Sequence, residues 1–370
     1  MTHPVLSEIT IVMWLLLAGG VTVLSWWITG LLVSKASLLR SIDHPNDRSL
    51  HSKPTPRSGG VAIIASILIG LGFAALGLAI VPPSTGFMPK GLASASVWII
   101  GSIALIATVS FLDDRRGLPA GLRFAVQAIA AVIVVWGVGL TLSSIPIPSI
   151  KTFELGWFAA PVSVLFLLWM TNLYNFMDGM DGFAGGMTTL GFGFMAYFSW
   201  TAGHPFILLT ATVVSMSALG FLFHNFPPAR IFMGDVGSIP LGFTGGALIL
   251  VGLRDGLFDV WVPMMIFSPF IMDATVTVLR RAWQRQKIWE AHRDHYYQRL
   301  VLLGWGHRRT VLAEYGLMVL CGVLAWGYQV SDDRARLAIL GFWGLLMISA
   351  MVAVHLAERR QLASNHMVES

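Results

Sequence analysis

Charge is scarce in this chain: Asp, Glu, Lys and Arg make up 12% of its 370 residues, against 55% hydrophobic. A soluble globular domain carries about twice that share of charge, so a water-facing surface over most of the chain is excluded. Cysteine is nearly absent as well. The one thiol, Cys321, lies in an apolar stretch and can close no internal disulfide, which excludes a disulfide framework and leaves the redox compartment open. Internal repeats and low-complexity tracts are missing. No polar stretch is long enough to fold alone, so the chain reads as a single unit over residues 1–370. The first apolar run lacks the basic n-region of a signal peptide, has Glu8 at its start and exceeds a usual h-region; it is expected to be a retained anchor.

What the chain has in place of charge is apolar length. Mean hydropathy is +0.72, and stretches long enough to cross about 30 Å of hydrocarbon as helices recur throughout. They cover residues 9–33, 59–81, 92–112, 120–140, 156–174, 184–202, 205–224, 239–253, 258–280, 311–329 and 337–356. The expected fold is therefore all-α, a polytopic integral membrane protein with about eleven transmembrane helices. Of the 24 Lys and Arg, only Lys90, Lys151, Arg254, Arg334 and Arg336 fall in loops on one side; Arg123 lies well inside a span and Arg280 is the last residue of one, at its basic-side edge. The rest collect in loops 34–58, 113–119, 175–183, 225–238 and 281–310 and in the C-terminal tail. Basic loops stay in the cytoplasm, which predicts an outside N-terminus and a cytoplasmic C-terminus. The pI near 9.6 follows from this loop bias and is not gathered in one soluble domain, so nucleic acid is not expected as a partner.

Five polar clusters lie on the basic side. Asn172, Asn175, Asp178 and Asp181 recur every third residue after an apolar run, among Gly179, Gly182, Gly185 and Gly186. Ionisable groups beside a membrane segment are costly to hold, which marks this stretch for binding or catalysis ahead of simple capping of two spans. Asp113-Asp114 end the third span and could bind a divalent cation or split their pKa values; a solvated Asp/Arg turn is the plainer alternative. Gly234-Asp235-Val236-Gly237-Ser238 opens the eighth span, where Asp235 is either a hard oxygen ligand for Mg²⁺ or an N-cap, and Phe232 offers a flat face to a base. The loop with His51, Lys53 and Arg57, stiffened by Pro54 and Pro56 and ending in Gly59-Gly60, could grip an anion at a helix start or lie on anionic lipid. His292, Arg293 and His295, with His307, Arg308 and Arg309 further on, could meet phosphates or form a basic loop on the membrane. A zinc site is poorly supported without a nearby cysteine.

Asp113-Asp114-x-x-Gly-Leu, Asn172-x-x-Asn175-x-x-Asp178-Gly-x-Asp181-Gly and Gly234-Asp235-x-Gly237-Ser238, in this order and on one side, resemble the polyprenyl-phosphate N-acetylhexosamine-1-phosphate transferases over roughly residues 48–300. Arg48, His51, Pro54, Pro56 and Gly59-Gly60 look more like the branch that initiates sugar antigens than the muramyl-pentapeptide branch. His292-Arg293-Asp294-His295-Tyr296-Tyr297-Gln298-Arg299-Leu300 departs from the histidine-rich pattern of the GlcNAc-1-phosphate enzymes and looks most like transferases starting O-antigen with FucNAc or QuiNAc.

The resemblance implies an enzyme in the bacterial inner membrane that transfers a sugar-1-phosphate from a UDP-N-acetyl sugar to undecaprenyl phosphate, with Mg²⁺ as cofactor and Mn²⁺ as an admissible substitute. It implies Asp113, Asp114 and His292 in catalysis, Asp235 on the metal, and Asn172, Asn175, Asp178, Asp181 and Phe232 on the nucleotide sugar. His51, Lys53, Arg57, Arg293 and His295 would face phosphates. Membrane lipids are expected neighbours, and a homodimer is an admissible assembly. The alternatives are peptidoglycan phospho-MurNAc-pentapeptide transfer and, in another class, a transporter, which the cytoplasmic placement of the acids and the lack of repeats disfavour.

Overall fold

A computed structural model describes residues 8–34, 41–45, 49–80, 92–287 and 292–369. Arg48 and parts of the 34–58 and 281–310 loops lie outside the described residues. The chain is a helical bundle, and nine of the described helices are long and apolar enough to cross a membrane. Two of the eleven expected spans are not among the nine. The helix α6 (Phe183–Ala202) forms where expected, but its Gly, Thr and Ser lower its apolarity. The 258–280 segment breaks at Phe267 into α9 (Trp261–Ile266) and α10 (Ser268–Trp283). Pro269 accounts for the break, because it has no N–H for the Met265 carbonyl and its ring crowds that carbonyl, which accepts the Ser268 hydroxyl at 2.7 Å instead.

At the centre stands α8 (Asp235–Arg254), buried along nearly its whole length. Around it pack α2 (Gly59–Ile80), α3 (Leu92–Arg116) and α5 (Ala159–Phe176). Small residues permit this closeness: a Cβ on Gly242 would stand 2.4 Å from the Met170 carbonyl oxygen of α5. The helix α7 (Pro205–Asn225) packs on α6 and on α1 (Glu8–Val33), where Ser25 donates to the Ser217 carbonyl at 2.6 Å. In hydrocarbon, where apolar burial offers no gain over lipid, close backbone approach and such interhelical bonds hold helices together.

The fourth span, α4 (Ala120–Val132), continues through a π-helical turn to Gly137 and leads to a hairpin, β3 (Ser144–Ile147) paired with β4 (Lys151–Glu154). Beyond α10 come the five-residue α11 (Tyr296–Leu300), a π turn, α12 (Gly306–Val330) and α13 (Asp333–Glu369). A second two-stranded pairing, β1 (Ile42–Asp43) with β2 (Thr55–Pro56), folds the loop before α2 back on itself. The ends of α3, α5 and α7 meet the starts of α2, α6 and α8 at one end of the bundle, and the polar clusters lie there.

Candidate active site

The start of α2 is zipped to the turn before α8. Phe232 N–H donates to Pro56 at 2.7 Å, and Gly59 and Gly60 donate to Phe232 and Met233 at 2.9 and 2.8 Å. A Cβ on Gly60 would lie 2.2 Å from the Gly237 nitrogen, so glycine is required where the two helix starts cross. Gly234 adopts φ +72° and presses on the Arg57 carbonyl oxygen, which a Cβ would approach to 2.3 Å. Left-handed backbone and lack of a side chain are both properties of glycine. Together they aim Asp235 from the first turn of α8 into a cavity.

That cavity, of about 270 Å³, brings together His51, Arg57, Asp114, Asn175, Asp178, Asp181, Phe232 and Asp235 from four separate stretches of chain. Asn175 Nδ2 donates to Asp235 Oδ1 at 2.8 Å and to Ser238 Oγ at 3.1 Å. Asp114 accepts from Val236 N–H at 3.0 Å, and Arg57 Nε stands 3.6 Å from its carboxylate. Arg57 also donates to the Asp114 carbonyl at 2.8 Å, tying the loop to the end of α3. The His51 and Phe232 rings meet edge to face with centroids 4.8 Å apart, and His51 lies 3.6 Å from Asp43.

Other expected site residues are placed outside the cavity wall. Asp113 accepts Leu118 N–H at 2.6 Å and Arg123 at 2.8 Å; the same guanidinium reaches Asp235 at 3.2 Å. Asn172, one turn deeper than Asn175, donates to Gln127 at 2.9 Å. Lys53 is exposed on its loop. His292 and Arg293 precede α11, where Arg293 donates to the Ser49 carbonyl at 2.6 Å and so joins two loops of the site end. His295 is buried, with Nδ1 3.1 Å from Asp273 of α10. Burial and the nearby His295 and Arg281 charges push His292 down to about 4, so its ring is neutral at pH 7.

Three residues of the site, Asp43, Asn225 and Gln298, were not selected from sequence; they line the cavity together with His307, which the sequence had grouped with the basic residues of the 281–310 loop. His307 stands 3.1 Å from Asp181, whose other oxygen accepts Ala229 N–H at 3.0 Å. Asn225 accepts Gly182 N–H at 2.9 Å and donates to Ile231 at 2.9 Å, clamping two loops. Arg123 was legible as the cation set well inside a span, a placement that calls for an acidic partner.

Acid exceeds base here. Burial and the charges of Asp235 and Asp114 push Asp178 well above the ordinary carboxylate range, against a Gly234 N–H bond that favours the anion. Among the described residues, no three His, Cys, Asp or Glu side chains are grouped as a complete metal cage. Mg²⁺ asks for less: it uses one or two carboxylates and completes its shell with phosphates and water. The mutually repelling carboxylates at the cavity fit such a cation.

The description Glycosyl transferase family 4 matches residues 96–253. A probable undecaprenyl-phosphate N-acetylglucosaminyl 1-phosphate transferase of Bacillus subtilis (strain 168) is 34% identical over 291 residues, covering 78% of this chain and 77% of the relative. A decaprenyl-phosphate N-acetylglucosaminephosphotransferase of Mycobacterium leprae (strain TN) is 31% identical, covering 82% of this chain and 80% of its own. A phospho-N-acetylmuramoyl-pentapeptide-transferase of Synechococcus sp. (strain JA-3-3Ab) is 29% identical, covering 70% and 77%.

Proposed function

The chain belongs to glycosyl transferase family 4, and from that premise we propose that it transfers an N-acetylhexosamine-1-phosphate from a UDP-sugar to undecaprenyl phosphate. The products are UMP and an undecaprenyl-diphosphate sugar. The observation that supports this reading most is the convergence of Asp114, Asn175, Asp178 and Asp235 with Arg57 and Phe232 in one cavity at one end of a membrane bundle. Such a cavity has acids for a cation, a cation for phosphate and an aromatic face for a base.

In the direct route an oxygen of the lipid phosphate bonds to the phosphorus that bears the sugar. The bond from that phosphorus to the bridging oxygen breaks, and its electron pair leaves on UMP. One phosphoanhydride replaces another, so the protein's task is to hold two anions in line and offset their charge. Bound Mg²⁺, or Mn²⁺ in its place, would supply charge neutralisation on the diphosphate, with Asp235 as the residue that holds it. Asp114 faces the cavity and orients the acceptor phosphate; Asp113 acts behind it by holding Arg123 against Asp235. Arg57 offsets phosphate charge beside Asp114. Asp181 has both oxygens engaged by the chain and fixes His307 toward the ligand. Phe232 and His51 give the uracil a flat wall. Neutral His292 supports the loop before α11 unless an arriving phosphate raises its proton affinity.

The finer reading is initiation of O-antigen or a related envelope glycan with a deoxyhexosamine such as FucNAc or QuiNAc, at the cytoplasmic face of the bacterial inner membrane. The histidine-poor 292–300 stretch supports it. Purified protein incubated with undecaprenyl phosphate, Mg²⁺ and a panel of UDP-N-acetyl sugars should release UMP with one sugar preferred. Turnover of UDP-MurNAc-pentapeptide alone would favour the peptidoglycan reaction, and exchange of UMP into UDP-sugar without lipid would favour a two-step aspartyl-phosphate route.

A further inference from the structure

We propose that Gln298 is a specificity-determining donor to an uncharged oxygen of the sugar, the acetamido carbonyl, and that Asp273 is the positioning residue that presents it. The inference rests on the transfer reading above. Gln298 is 6% exposed, yet it lines the cavity beside Asp178 and Gly179. Its Oε1 accepts His295 N–H at 3.3 Å, which fixes the amide so that the nitrogen faces the site. Nε2 would stand 3.4 Å from a Cβ built on Gly179. The Tyr297 side chain engages the Gln298 side chain, and an amide nitrogen carries two hydrogens, so one donor is left for a ligand. Arg57 and His307 already offer cationic or ionisable partners to a diphosphate, whereas a neutral amide matches a neutral carbonyl.

A five-residue helix cannot hold this geometry by itself. Asp273 holds it from α10, accepting from Tyr296 N–H at 2.9 Å and Tyr297 N–H at 3.1 Å, with His295 at 3.1 Å. These are the donors at the start of α11 that lack a partner within the helix. On the far side Arg299 pairs with Glu358 of α13. Across the site, Tyr297 Oη donates to the Phe176 carbonyl at 3.3 Å, and a Cβ on Gly179 would reach that hydroxyl at 2.2 Å. The helix is thereby seated on the acidic stretch with no space between.

The test measures kcat/KM for the preferred UDP-N-acetylhexosamine and for its counterpart with a free 2-hydroxyl, together with inhibition by UMP. Gln298→Ala should lower the preference for the acetamido sugar about three- to tenfold and leave UMP inhibition unchanged. Asp273→Asn should give the same sugar-selective loss, and the double variant should lose no more than the single ones. Should Asp273→Asn not fold, Glu358→Gln probes the same seating from α13. Equal losses for both sugars, or weaker UMP inhibition in Gln298→Ala, would overturn the assignment, because the amide would then act on the nucleotide or on the fold. An active parent whose Gln298→Ala variant keeps its sugar preference sinks this inference alone; a parent that turns over no UDP-sugar sinks the transfer reading with it.

Discussion

Asp178 illustrates how a site residue can oppose the stability of the protein that carries it. Its carboxyl is raised by burial and by the like charges of Asp235 and Asp114. Between the ordinary carboxylate value and this raised one, the folded state binds more protons than the unfolded chain. Stability therefore falls as pH rises through that window, and the penalty is fully present above it. Asp178→Asn keeps the shape and removes the charge, so it should raise the thermal midpoint of the metal-free protein at pH 7 and flatten the decline between acid and neutral pH, while turnover falls. An unchanged midpoint would mean that the carboxylates are already compensated. Asp235→Asn also preserves the bond from Asn175, and it should cut Mg²⁺-dependent turnover by about two orders of magnitude or more; near-normal activity would remove Asp235 from the metal. These acids were legible in the sequence because ionisable groups at span ends need a reason. Which of Asp113 and Asp114 faces the cavity was not, since adjacent residues differ only in the direction their side chains take from the last turn of α3. Asn225 and Gln298 escaped notice because an uncharged amide in a polar loop has no cost that singles it out.

Elements bring these residues together through backbone contacts that carry no chemical signature. The crossing of α2 and α8 at Gly60 and Gly237 leaves no volume for a methyl group, and the obstacle is backbone, which cannot rotate away. Gly60→Ala should destabilise the fold by about 2 kcal/mol or more and misplace Asp235, so thermal stability in detergent and turnover should fall together. Gly121→Ala is the control, because nothing lies within 4 Å of a Cβ there; equal losses in both variants would mean that the crossing is not tight. The glycine pair itself was visible, but not that its partner lies more than 170 residues on, because a contact between distant helices leaves no local periodicity. The break at Phe267 is similar. Pro269 disturbs the helix there, but hydropathy alone joined α9 and α10 into one span.

For the whole molecule, the argument turns on which end of the bundle faces the nucleotide sugar. UDP-sugars are cytoplasmic metabolites with a charged diphosphate, and such a group does not cross hydrocarbon unaided, so the cavity end should face the cytoplasm. The distribution of Lys and Arg predicts the same orientation from an unrelated cause, the retention of basic loops during insertion. The β3–β4 hairpin follows α4 at the end opposite to Pro119, where α3 and α4 join beside the acids, and it should face the periplasm. Cys321 is the chain's single cysteine and is buried, so after Cys321→Ser, thiols can be placed singly at exposed Lys53, beside the cavity loop, and at exposed Thr152, in the hairpin. In intact cells a membrane-impermeant maleimide should label Thr152→Cys and spare Lys53→Cys, and permeabilised cells should show both labelled. The reverse pattern would place the acids outside. It would leave the transfer reading without a donor and return the charge bias, the strongest global signal in the sequence, to a coincidence of loop composition.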